Sequence, residues 1–148
     1  MSLGANLVYG SSIRKRSEKI ENLLRELDPN LLKEGHPDLM VIKKKRGKKN
    51  ISIRKSREII NYLSIKPYNS PYKAVVVQSA ENMTSQAQNA LLKTLEEPPR
   101  HAIIILSAKK EQALLPTVIS RCKKYKVEAD DLYLDLTGKT PIKEIIAS

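Results

Sequence analysis

The chain has 148 residues, 41% of them hydrophobic, with 27 Lys and Arg against 16 Asp and Glu, a formal net charge of +11. That length suits one domain with a self-sufficient core, and the single cysteine, Cys122, excludes an intrachain disulfide or a cysteine-cluster zinc site. No apolar run is long enough to span a bilayer, and no basic segment followed by an apolar run opens the chain, so a cytoplasmic protein without membrane contact is expected. The basic excess favours polyanionic partners. Aromatic residues are limited to six Tyr, which supply no evident platform for stacking bases.

In chain order, Leu7-Val8-Tyr9 predicts a short strand leading to Gly10. Ser17 opens a helix with Ile20, Leu23, Leu24 and Leu27 on one face, and Asp28-Pro29 ends it. His36 to Ile42 gives a second strand, followed by a basic turn from Lys43 to Lys49. Ile51 and Ile53 alternate before Arg54 to Ser64 turns helical, with Ile59, Ile60 and Leu63 on its apolar face. Lys66 to Tyr72, with two prolines, reads as a loop, and Ala74 to Val77 as a buried strand ending at Gln78.

Thr84 or Ser85 caps the next helix, where Ala87, Leu91 and Leu95 follow at i+4 spacing and Gln88, Lys93 and Glu96 fall off that line. Pro98-Pro99 stops it. Ala102 to Leu106 predicts a strand buried on both faces. A short segment from Pro116 to Arg121 and a last strand at Tyr125 to Val127 complete the pattern, and Pro141 to Ala147 is a candidate helix. Strands alternating with helices predict an α/β fold with a parallel sheet, whose ligands gather at the carboxyl ends of the strands.

Two strings are less ordinary than this pattern. Asn89 to Pro99 reads NALLKTLEEPP, and Leu114 to Cys122 reads LLPTVISRC. Together they resemble the AAA+ domain of bacterial DNA polymerase III clamp-loader subunits, gamma/tau and delta-prime. The likeness runs from about Leu7 to Val127 and includes HPDLMVI, ISIRKSREIINYLSIKP and YKAVVV. It implies a three-layer, P-loop NTPase-like domain over residues 4–127. Residues 128–148 are then an extension or the truncated start of a helical lid, with lid and collar domains largely absent. The four-cysteine zinc module common in the ATPase subunits is missing.

The family's nucleotide motifs are degraded. In register with G-x-x-x-x-G-K-[ST], the chain reads Gly10-Ser-Ser-Ile-Arg-Lys15-Arg16-Ser17. Lys15 replaces the second glycine, and Arg16 replaces the lysine that reaches the phosphates. At the Walker B position Gln78 and Ser79 stand where an Asp that holds Mg²⁺ and a Glu that orients water are needed. Hydrolysis is therefore not expected, and no cofactor is expected. Residual phosphate binding is less strictly excluded, because the loop precedes a helix N-terminus and carries Arg14, Lys15 and Arg16.

Ser120-Arg121-Cys122 preserves the family's SRC motif. The resemblance implies that Arg121 serves as an arginine finger on the ATP of a neighbouring subunit, with Ser120 and Cys122 as turn and packing residues. The plainer alternative is an Arg121 that pairs with an acid or faces solvent. Glu96-Glu97 reads as solvent or interface, and His36 and His101 are too isolated to hold a metal. Implied partners are the gamma/tau and delta subunits, the sliding clamp indirectly, and DNA through backbone contacts. For DNA the candidates are Lys43, Lys44, Lys45, Arg46, Lys48 and Lys49, or the helix start at Thr84, Ser85 and Gln86. The rival expectation is a catalytically inactive AAA+ remnant that binds nucleic acid through its basic surface.

Overall fold

Five parallel strands build the centre of the molecule, in the order β2-β3-β4-β1-β5. The computed structural model describes residues 3–43 and 50–128. The elements are β1 (Gly4–Tyr9), α1 (Ile13–Leu27), β2 (Leu39–Ile42), α2 (Ile53–Ser64), β3 (Lys73–Val77), α3 (Ser85–Glu96), β4 (Ala102–Ala108), α4 (Pro116–Ile119) and β5 (Lys123–Lys126). The predicted parallel α/β sheet is thus observed. Lys44, Lys45, Arg46, Lys48, Lys49 and the candidate helix at Pro141 to Ala147 lie outside the described residues.

The strands are apolar on both faces because both faces are covered. In β3, Val75 and Val77 face a core with Ile59 and Leu63 of α2 and Leu91 and Leu95 of α3. Ala74 and Val76 face the opposite core, with Ile20, Leu23 and Leu24 of α1 and Leu31. Strand β4 divides likewise, Ile104 and Leu106 to one side and Ile103 and Ile105 to the other. Each of these branched side chains contributes about 1.5–3 kcal/mol on burial. Two helical layers around one sheet are the result.

The start of α1 departs from the sequence reading. The helix opens at Ile13, with Ser12 as N-cap accepting the Lys15 N–H at 3.1 Å, rather than at Ser17. A serine at the cap satisfies an orphan amide. Lys15, in the place of a motif glycine, favours helix over an open loop, and among the described residues positive φ is confined to Gly4, Gly10 and Gly35.

At the amino ends of β2 and β3, Asp38 is fully buried. Its carboxylate accepts the N–H groups of Tyr68, Asn69 and Ser70 at 2.6, 2.9 and 2.9 Å. The Ser70 hydroxyl donates in turn to Asp28 at 2.7 Å. Thus the Pro67–Pro71 connection, predicted as a loop, is fastened from beneath. His36 accepts the Asp38 N–H through Nδ1 within its own turn, and His101 donates through Nε2 to the Leu63 carbonyl near the end of α2, so each imidazole is engaged in a structural hydrogen bond.

Candidate functional site

The order of the strands places β1 between β4 and β5, so the chain reverses direction across the sheet beside the carboxyl end of β1. Crevices form at such points. Here Tyr9, Gly10, Ser11, Lys109, Lys110, Lys126 and neighbouring residues line a cavity of about 390 Å³. The degraded P-loop borders this cavity, but it does not present a phosphate cradle to it. The Gly10 N–H bonds the Ala108 carbonyl at 3.1 Å, the Arg16 N–H bonds the Ser12 carbonyl at 3.0 Å, and the Lys15 N–H is taken by the Ser12 hydroxyl. Residues that should form the loop have been wound into the first turn of α1.

Arg16 completes the closure. Its side chain is 2% exposed, Nε donates to Ser107 Oγ at 2.9 Å, and a terminal nitrogen donates to the Gly10 carbonyl. Burial lowers its pKa, and the Glu81 carboxylate opposes that shift. Arg14 pairs with Glu18 at 2.7 Å. Of the three cations expected around a phosphate, one is turned inward and one is ion-paired. Ser17 lies on α1 beyond this turn, and Gln78 and Ser79 follow the end of β3, where the sequence placed them.

Gly10 has a second constraint. Its φ is +151°, and an added Cβ would stand 2.5 Å from Val127 Cγ2 and 2.7 Å from the Val127 carbonyl oxygen. The Val127 N–H bonds the Tyr9 carbonyl at 2.8 Å, so the segment after β5 is strapped over the glycine.

The SRC segment lies toward the other end of the sheet. Arg121 follows α4 and precedes β5, whose first residue, Lys123, pairs with Asn6. Gly10 lies four residues farther along the direction of β1, roughly 13 Å at the usual strand rise. The Arg121 guanidinium donates to the Thr117 carbonyl at 2.8 Å, stands 3.6 Å from a Glu96 carboxylate oxygen, and is partly exposed, while its Nε has no hydrogen-bond partner. Ser120 donates to the same Thr117 carbonyl at 3.1 Å. Cys122 is buried, and burial pushes its thiol up to about 11.

Two residues of this region escape a periodicity reading. Gln88 lies off the apolar line of α3, yet it is 6% exposed: its amide nitrogen donates to the Met83 carbonyl at 3.2 Å and its oxygen accepts the Leu115 N–H at 2.8 Å. A polar residue flanked by Ala87 and Leu91 on a helix was the available signal. Glu96 is exposed as expected, but its pairing with Arg121 depends on a contact between α3 and the end of α4 that no local pattern encodes.

The nucleic-acid candidates fall into one neighbourhood where they are described. Ile51 bridges Met83, the Thr84 N–H bonds the Ile51 carbonyl at 3.0 Å, and the Ser56 hydroxyl bonds the Ala87 carbonyl at 2.7 Å. Those contacts set the N-termini of α2 and α3 side by side. Thr84 caps α3 through the Ala87 N–H at 3.0 Å, leaving Ser85 and Gln86 exposed on its first turn. Lys43 lines a cavity of about 780 Å³ with Arg54, Lys55 and Arg57, cations the sequence reading had not associated with it.

A parallel, doubly covered sheet with a reversal at β1 and a glycine turn after that strand defines a P-loop NTPase-like module of AAA+ type. The family model described as "DNA polymerase III, delta subunit" matches residues 28–131, and the chain belongs to that family. It is 38% identical over 92 residues to DNA polymerase III subunit delta' of Yersinia pestis, covering 62% of this chain and 27% of that protein. It is 36% identical over 88 residues to the Escherichia coli K12 delta' subunit, covering 60% and 26%. A crystal structure of a DNA polymerase III, gamma subunit-related protein from Thermotoga maritima superimposes with a TM-score of 0.70 at 32% identity, covering 87% of this chain and 43% of that one. The chain is thus a delta'-like domain, and it spans about a quarter of the length of these curated delta' relatives. Among the described residues no helix is long and apolar enough to cross a membrane.

Proposed function

We propose that this chain is a non-hydrolysing clamp-loader subunit that contributes Arg121 to the ATP site of a neighbouring subunit while the sliding clamp is loaded onto primed DNA. The observation that carries this reading is the separation within one molecule. Arg121 lies toward the amino ends of the strands, and the Gly10 turn lies at their carboxyl ends. An arginine so placed is badly sited for its own loop and well sited for an adjoining surface. The inward Arg16 supports the absence of hydrolysis, because the loop is filled by the chain itself. A planar guanidinium aimed at a phosphate stabilises the charge that develops in phosphoryl transfer.

Relatives named gamma and tau subunits, 30–36% identical over 76–82 residues, make such subunits the natural neighbours, with delta completing the assembly. A role in replication supports a cytoplasmic location. The test is the DNA-stimulated ATPase rate of the cognate gamma/tau–delta assembly with this chain added as wild type or as Arg121→Ala. Stimulation by wild type alone is expected, since fingers of this kind contribute about 10³–10⁵ in rate. Equal stimulation by both forms would reduce Arg121 to a structural residue.

A second reading, sequence-independent binding of nucleic acid, is favoured by the adjacent helix starts at Ser52 and Thr84 and the cations Lys43, Arg54, Lys55 and Arg57 beside them. It predicts affinity for DNA that falls steeply with salt and a shallower salt slope in Arg54→Ala and Arg57→Ala. Salt-independent binding would remove it.

A further inference from the structure

Helix α4 is a single turn of four residues, too short to hold its own orientation. It nevertheless carries Arg121 at its exit. Helix α3 touches this short segment at both ends. At its start, the buried Gln88 accepts the N–H of Leu115, the residue that caps α4, while its amide nitrogen is tied to the Met83 carbonyl. At its end, the Glu96 carboxylate stands 3.6 Å from the Arg121 guanidinium. The two contacts lie eight positions apart on α3, a little over two turns, so one rigid helix spans the segment.

We infer that Gln88 and Glu96 are positioning residues for Arg121: α3 holds α4 at its start through Gln88 and orients the guanidinium at its end through Glu96. This rests on the arginine-finger reading above. The two contacts differ in kind. Gln88 is enclosed, and replacing its amide leaves the Leu115 N–H and the Met83 carbonyl without their partners. Glu96 is exposed, with its side chain 61% accessible, so its attraction is screened and a neighbour's phosphate can take the guanidinium from it. Gln88 fixes where Arg121 stands, and Glu96 points it while leaving it free to transfer. Each acts through Arg121 and not on the phosphates, which makes it a positioning residue and not a catalytic one.

The experiment uses the cognate assembly with the full chain as wild type, Arg121→Ala, Gln88→Met, Gln88→Glu, Glu96→Lys and Glu96→Gln. ATP turnover is measured at saturating chain, and affinity of the chain for the assembly is measured separately. Gln88→Met and Glu96→Lys are expected to lower the stimulated kcat by about 10- to 100-fold with unchanged affinity, the scale on which an ångström of misplacement acts. Gln88→Glu keeps the acceptor for Leu115 but loses the donor to the Met83 carbonyl, and Glu96→Gln keeps the shape but loses the charge that attracts the guanidinium, so each should fall between wild type and the harsher variant at its position.

In the Arg121→Ala background, Gln88→Met and Glu96→Lys should cost nothing further, a non-additivity that a merely structural role would not produce. Hydrogen exchange at the Leu115 amide should accelerate in Gln88→Met alone of these variants. If Gln88→Met does not fold, the exposed Glu96 pair carries the test. Wild-type stimulation by either Gln88→Met or Glu96→Lys, with the Arg121→Ala loss intact, overturns the positioning role and leaves the finger. A silent Arg121→Ala overturns both.

Discussion

The Arg16 guanidinium donates from α1 to the hydroxyl of Ser107 on β4 at 2.9 Å, 91 residues away in the chain. A cation in the position of a phosphate-binding lysine has thereby become a strut between a helix and the sheet. Arg16→Met is expected to destabilise the fold by about 1.5–3 kcal/mol, the scale of a buried hydrogen bond to a charged group. Arg16→Lys should recover little of this, since an ammonium lacks the fork that reaches Ser107 and Gly10 together. Urea denaturation measures both. A fluorescent ATP analogue should bind neither variant, because the helix, and not Arg16 alone, has replaced the loop.

Gly10 approaches the strap at Val127 more closely than any side chain allows. Gly10→Ala is expected to cost about 1–3 kcal/mol through its positive φ and the contact with Val127. Hydrogen exchange should locate the damage, with the Val127 amide losing protection while the β3 amides keep theirs. Equal protection across the sheet would contradict the strap.

Asp38 links acid sensitivity to one loop. Burial raises its pKa, but the N–H groups of Tyr68, Asn69 and Ser70, with His36 nearby, outweigh that and leave it below the ordinary carboxylate value. Asp28 is lowered chiefly by the Ser70 hydroxyl and the Asn30 N–H. Both carboxylates thus contribute stability that is fully present above their unfolded pKa, about 3.9, and is lost as pH falls through the depressed folded values. Urea midpoints should be nearly flat from pH 7 to about 5 and fall below about 4. In Asp38→Asn the protein should be less stable at pH 7 and its acid-side slope smaller. An unchanged slope would remove Asp38 from this linkage.

Cys122 offers a check on packing beneath the SRC segment. With its thiol pushed up to about 11 by burial, little thiolate exists at pH 8. Reaction with a disulfide reagent should be at least about 10²-fold slower in the folded protein than in urea. Equal rates would mean that the segment opens readily, and Arg121 would then lack a fixed base.

The sequence by itself determined the kind of fold and the family. Apolar runs in Ala74–Val77 and Ala102–Leu106 are intelligible only as strands covered on both faces, and the strings NALLKTLEEPP and LLPTVISRC carried the relationship that the comparisons bear out. It also showed that the P-loop and Walker B positions were altered. These are local facts, written in periodicity and motif.

Tertiary structure alone decided what the altered residues do. Arg16 was a displaced cation in the sequence, and only the approach of β4 to α1 turns it inward. Gln88 was a polar interruption until α4 packed beside it, and Glu96 was a solvent or interface acid without a named partner until Arg121 was brought to it. The start of α1 moved because Ser12 captures an amide, a choice that a motif aligned on Gly10 and Ser17 obscures. Hydrogen-bond partners 27 to 91 residues apart are chosen by the layering of helices on the sheet, and no window along the chain contains both members.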